Sequence, residues 1–154
     1  MELNGETLRF IREHCKDDVR SLALQAPKYP DVDMPVALTQ IAGRQAAAEK
    51  IPSWHEEEGV LYPRHLSLEQ CSSEATARYK ASIIPEFSSG TLADLTGGFG
   101  IDCAFLSPKF HHVTYVERQE VLCEIASHNF PLLALNHIRI ENKDGIRHLQ
   151  EMSS

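Results

Sequence analysis

The stretch Leu92-Ala93-Asp94-Leu95-Thr96-Gly97-Gly98-Phe99-Gly100-Ile101-Asp102 constrains this chain more than any other. An apolar run reaches an acid, then a turn with glycine at two alternate positions, Gly98 and Gly100, then residues that suit a helix. Glycine is needed where the backbone turns tightly and another group must approach with no Cβ in the way. Strand, glycine turn and helix together form the opening unit of a parallel sheet with crossover helices.

The residues that follow repeat this unit. Strands are predicted over 91–95, over 112–116 ending at Glu117, and over 138–141. Helices are predicted over 102–107, from 119 to about 135, and from 146 to 152, with Pro131 shortening or kinking the second. The order β-α-β-α-β-α predicts an α/β fold. Ahead of Gly90 the apolar spacing is helical. One helix is predicted over 7–25, capped by Asn4 or Thr7, and a second over 35–50 with Pro35 in its first turn. A third is predicted over 67–84 with Ser67 as its cap and Gln70 as the capping-box partner. Residues 53–63 read as loop or extended chain, with Trp54 as a packing anchor. The junction Ser88-Ser89-Gly90 divides the chain into an N-terminal helical region, 1–88, and the first half of a Rossmann-like domain, 89–154.

Composition narrows the function. The net charge is −7, and neither half carries a basic surplus, which argues against tight nucleic-acid binding by this segment itself. No apolar run approaches a membrane span, and the charged start lacks the stretch of a secretory signal. Cys15, Cys71, Cys103 and Cys123 form no C-x-x-C pair and read as free thiols of a cytoplasmic protein. Adjacent residues on a strand point to opposite faces, so His111 and His112 do not share a metal, and no metal site is expected. No nucleophile–base pair of the hydrolase kind is evident.

Two cofactor chemistries compete for the glycine turn. A nicotinamide dinucleotide fits G-x-G-x-x-G, which needs glycine where Cys103 stands. S-adenosylmethionine (SAM) fits an acid at the end of the first strand in the pattern D-x-x-x-G-x-G, matched by Asp94, Gly98 and Gly100 around Thr96. SAM carries no phosphate; its ammonium group needs an acceptor, a role for Asp94 directly or through water. Glu117, at the end of the second strand, suits a bidentate contact to both ribose hydroxyls, by the same logic as in dinucleotide folds. Its plain alternative is an exposed acid beside Arg118. Asp144, at the end of the third, suits the adenine amino group, although Asn142-Lys143-Asp144-Gly145 is equally a run of turn formers.

These elements resemble the first three SAM-binding elements of class I methyltransferases. With Ile41-Ala42-Gly43-Arg44-Gln45, Pro52-Ser53-Trp54 and the stretch from Gln70 to Lys80, the chain resembles a bacterial family of RNA-type methyltransferases found in Bacteroides relatives, whose members carry a THUMP-like domain further on. The resemblance covers roughly residue 35 to the end. It implies that Ser73, Glu74, Thr76 and Lys80 lie close to the cofactor, on the helix before the first strand; an amphipathic helix merely packing on the sheet is the alternative. It also implies a sheet in the order 3-2-1-4-5-7-6, of which these residues supply 3-2-1. The strand-4 loop that positions the methyl acceptor does not follow. The expectation is therefore a methyltransferase parent, with RNA contacts in downstream regions, and a chain inactive by itself. An unpaired edge of strand 1 is expected to drive self-association or to be covered by the N-terminal helices. The alternative function is a non-catalytic helical and half-Rossmann module for assembly or partner binding.

Overall fold

The structure is a computed structural model that describes residues 2–86 and 90–153. The expected division at Ser88-Ser89 lies outside the described residues. Three parallel strands, β1 (Thr91–Asp94), β2 (His112–Glu117) and β3 (Ile138–Asn142), form one sheet with β2 in the middle. Asp94 stands in register with Tyr115, and Glu117 with Asn142. This is the expected order 3-2-1 within a partial Rossmann-like α/β fold. The central strand is also the most buried, with Val113, Tyr115 and Val116 enclosed, as suits a parallel strand covered on both faces.

Helices α7 (Ile101–Leu106), α8 (Glu120–Leu132) and α9 (Gly145–Met152) follow the three strands in turn. Pro131 sits inside the last turn of α8, and the helix stops at once: Leu133 caps it, and Ala134 takes a positive φ of 60°. The helix therefore ends short of the predicted residue 135.

Among the described residues, the N-terminal part holds six α-helices: α1 (Gly5–Glu13), α2 (Val19–Leu24), α3 (Met34–Lys50), α4 (Pro52–His55), α5 (His65–Gln70) and α6 (Glu74–Ser82). The helix expected over 7–25 is two helices, because Asp18 accepts from the Ser21 amide at 3.0 Å and starts α2 afresh. Asn4, one of the two expected caps, holds the Thr7 amide at 2.8 Å. The helix expected over 67–84 is also two. Lys50 Nζ donates to the last carbonyls of α5, Leu68 at 2.7 Å and Glu69 at 2.9 Å, while Ser73 caps α6 through the Thr76 amide. Ser67 is thus inside α5 and caps nothing; Arg64 precedes that helix without a side-chain cap. Trp54 lies on the short helix α4 rather than in a loop, because Pro52 both ends α3 and opens the next turn.

Two apolar clusters result. Phe10, Leu22, Met34, Ala37 and Ile41 join α1, α2 and α3. The larger cluster runs from Ala47, Ile51, Trp54 and Tyr62 through Phe99 and Ile101 to Tyr115, Ile125 and Phe130, so one core joins both sides of residue 88. Between α4 and α5, Leu61 and Tyr62 belong to no helix or strand; Tyr62 is buried in the larger cluster and Leu61 is half-buried against it. The amide of Asn129 bonds both backbone groups of Leu61 at 2.9 Å each, and Gln40 does the same for Tyr62 at 2.8 and 3.0 Å.

Candidate functional site

The three glycines of the β1–α7 turn do different jobs. Gly100 has φ +91°, and a Cβ there would lie 2.8 Å from Phe130 Cζ. A Cβ on Gly97 would run into the Tyr115 ring. Gly98 has φ +56° and meets nothing nearer than the Thr96 carbonyl at 3.7 Å, so it alone needs glycine for its conformation while facing open space. Packing, which is invisible in the motif, therefore demands Gly97. Phe99 anchors the turn in the core: it is 2% exposed and stands edge-on to Trp54 with ring centres 5.1 Å apart.

Glu117 ties the strand ends together. Its Oε1 accepts from the Gly98 amide at 3.3 Å and its Oε2 from the Gln119 amide at 2.6 Å, while its carbonyl accepts from the Lys143 amide and Asn142 Nδ2. Asp94 Oδ1 accepts from the Thr96 amide at 3.2 Å. Burial pushes the Asp94 carboxyl up, the Thr96 amide and Lys80 oppose this, and the charges of Asp102 and Glu117 reinforce it.

A cavity of about 340 Å³ opens over this turn, within the range of small-molecule sites. Asp94, Thr96, Gly98, Gly100 and Glu117 all line it, as do Ser72, Asp102 and Gln119. Lys80 is not in the lining but reaches it, donating to Asp102 Oδ2 at 3.0 Å. Ser73, Glu74, Thr76 and Asp144 do not line it. Ser73 and Thr76 bond each other at the start of α6. Both carboxylate oxygens of Glu74 are engaged, Oε1 by Ser53 of α4 at 2.7 and 2.9 Å and Oε2 by Arg78 of its own helix at 2.9 Å. Burial alone would raise the Glu74 carboxyl; the Ser53 and Arg78 bonds outweigh it and hold it low. Asp144 caps α9 through the Ile146 and Arg147 amides. Its neighbour Gly145 packs so closely on the Leu95 carbonyl that no Cβ fits, which brings the β3–α9 turn against the end of β1.

Sequence reasoning missed Asp102 and Ser72 as lining residues. Asp102 looks like an ordinary acid in the first turn of a helix, and Ser72 stands at a helix break that the apolar spacing conceals. The cavity thus holds three carboxylates, Asp94, Asp102 and Glu117, with one ammonium, Lys80, at its wall. Such a wall favours a cationic ligand with hydroxyl donors and repels a pyrophosphate.

A strand-end cavity on a parallel sheet defines a Rossmann-like binding fold. No protein-family model matches the chain. No curated protein matches it either. Among solved structures it is similar to one described as a "putative methyltransferase from Porphyromonas gingivalis W83", with 29% identity and a TM-score of 0.73. The match covers 94% of this chain and 36% of that one, so the chain spans about a third of that protein's length. The fold is accordingly a partial Rossmann-like fold of the methyltransferase kind. Among the described residues, no helix is long and apolar enough to cross a membrane.

Proposed function

We propose that this chain forms the SAM-binding portion of a SAM-dependent methyltransferase that acts on RNA. The observation that carries the reading is the pairing of Asp94 and Glu117 on either side of Gly98 in one cavity. Each Glu117 oxygen takes one backbone amide and keeps acceptor capacity for a ribose hydroxyl. Asp94 faces the ammonium group, and Asp144, held beside the end of β1 through Gly145, is assigned the adenine amino group. Bound SAM supplies an electrophilic methyl group. The residues of this chain hold and orient its carrier, and catalysis rests on positioning rather than on a side-chain nucleophile. The RNA direction rests on the family resemblance. With a net charge of −7, this segment holds the cofactor rather than the RNA, and it acts in the cytoplasm.

Calorimetric titration with S-adenosylhomocysteine tests the reading. Saturable binding is expected, and Glu117→Ala should weaken it by roughly 1–3 kcal/mol by leaving ribose hydroxyls unpaired. Unchanged affinity would remove Glu117 from the site, and absence of binding would count against the whole assignment. The raised Asp94 carboxyl adds a pH signature. A cation bound beside it favours the charged form, so binding expels a proton from any protonated Asp94. Affinity should therefore fall as pH drops through the raised Asp94 value and level off above it, a dependence that Asp94→Asn should flatten.

A second reading, a non-catalytic assembly module, draws on two surfaces. Within the described sheet β1 pairs on one side only. Ile146, Leu149 and Met152 of α9 are exposed at 69%, 52% and 57%. Self-association through the β1 edge is the proposal there; a monodisperse monomer whose β1 amides exchange rapidly would defeat it.

A further inference from the structure

The glycine turn and its two strand-end acids leave one acid of the cavity without a task. Asp102 stands in the first turn of α7 and lines the cavity with Asp94 and Glu117. Its two oxygens are treated very differently. Oδ2 accepts from Ser72 Oγ at 2.9 Å and from Lys80 Nζ at 3.0 Å, and Lys80 also donates to Ser72 at 3.2 Å. Oδ1 is enclosed and has no hydrogen-bond partner. An enclosed carboxylate oxygen without a donor costs free energy, and native structures keep few such atoms. The carboxylate is therefore anchored through one oxygen, and of its roughly four lone-pair sites only those on Oδ2 meet a donor, so the group keeps acceptor capacity where the residue lines the cavity.

We propose that Asp102 is an ammonium acceptor of this site. Fixed by Ser72 and Lys80, it joins Asp94 in gripping the amino-acid end of the ligand. The site thereby selects adenosine thioethers that carry an α-ammonium group over those that lack one. This inference rests on the SAM reading above and adds to it a specificity-determining residue. Two features outside the hydrogen-bond pattern support it. The Asp102 charge helps to raise the Asp94 carboxyl, so the two acids lie within electrostatic reach and a cation between them relieves both. Lys80 arrives from α6, an element that packs closely on α7, so the Asp102 side chain is set by the junction of those helices rather than by the glycine turn. Ser72 and Lys80 act here as positioning residues.

The test compares two ligands on the whole chain by calorimetry: S-adenosylhomocysteine, which has the ammonium group, and 5′-methylthioadenosine, which lacks the amino-acid end. The unmodified chain should prefer the first. Asp102→Asn keeps the shape and removes the charge. It should cut S-adenosylhomocysteine affinity about tenfold or more, the worth of a charge-assisted hydrogen bond, and leave 5′-methylthioadenosine within about twofold. Asp102→Glu should restore part of the preference. An unchanged ratio of the two affinities in Asp102→Asn overturns the proposal, as does an equal loss for both ligands, which would mark Asp102 as merely structural. Should Asp102→Asn fail to fold, the deamino analogue of S-adenosylhomocysteine replaces it as the probe of the unmodified chain, and equal affinity for the two overturns the proposal. If the unmodified chain binds neither adenosine thioether, the SAM reading itself falls and takes this inference with it; binding of 5′-methylthioadenosine alone keeps the site and removes Asp102 from it.

Discussion

The ends of β1 and β3 are built from the same parts, yet they are held in opposite ways. Each strand runs into a short turn containing glycine and then a helix. At β1 the turn is locked from outside: Phe99 is clasped by Trp54 and Tyr62, Gly97 is pressed on Tyr115, and Gly100 on Phe130. At β3 the turn is locked mainly from within, by Asp144 capping its own helix, and α9 leaves its apolar residues exposed. The contrast teaches that a strand–turn–helix unit needs little more than a cap to form. A rigid ligand wall, by contrast, needs aromatic side chains from distant elements.

The largest effect that would break this comparison lies at Phe99. Phe99→Ala should cost about 3–5 kcal/mol in urea denaturation, because it empties a site shared by Trp54 of α4, the turn and Tyr62. Gly100→Ala comes next at about 2–4 kcal/mol, from a left-handed backbone carrying a Cβ and from overlap with Phe130. Asp144→Ala should cost only about 1 kcal/mol, the worth of a helix cap, and lower the melting temperature by about 2–4 °C. If Asp144→Ala proved as costly as Phe99→Ala, the β3 end would be as deeply built into the core as the β1 end, and the contrast would collapse.

The α/β half was readable because its signals are local. Apolar runs ending in Asp94 and Glu117, with glycines after the first, are short-range facts, and the three strands lie within a residue of where they were expected. The helical half was less legible. Asp18 and Ser73 start new helices inside stretches whose apolar spacing continues across the break, so periodicity alone merges two helices into one. At the site, the residues contributed by the strand ends were visible, whereas Ser72 and Asp102 became lining residues only through the packing of α6 on α7, which no local pattern encodes. The assignment of Ser73, Glu74 and Thr76 to the cofactor came from resemblance; their side chains serve the start of α6 and its bond to α4.

The pairing of Leu61 and Tyr62 with side chains has a consequence for how the molecule avoids its own misassembly. Backbone groups away from water normally find partners in a helix or a neighbouring strand, and a segment that belongs to neither must find them elsewhere. Here two side-chain amides, from Gln40 on α3 and Asn129 on α8, serve as the missing strand, one residue each. The segment is saturated before any other backbone can reach it. Its two amide protons should exchange with solvent as slowly as those of β2, although they belong to no helix or sheet.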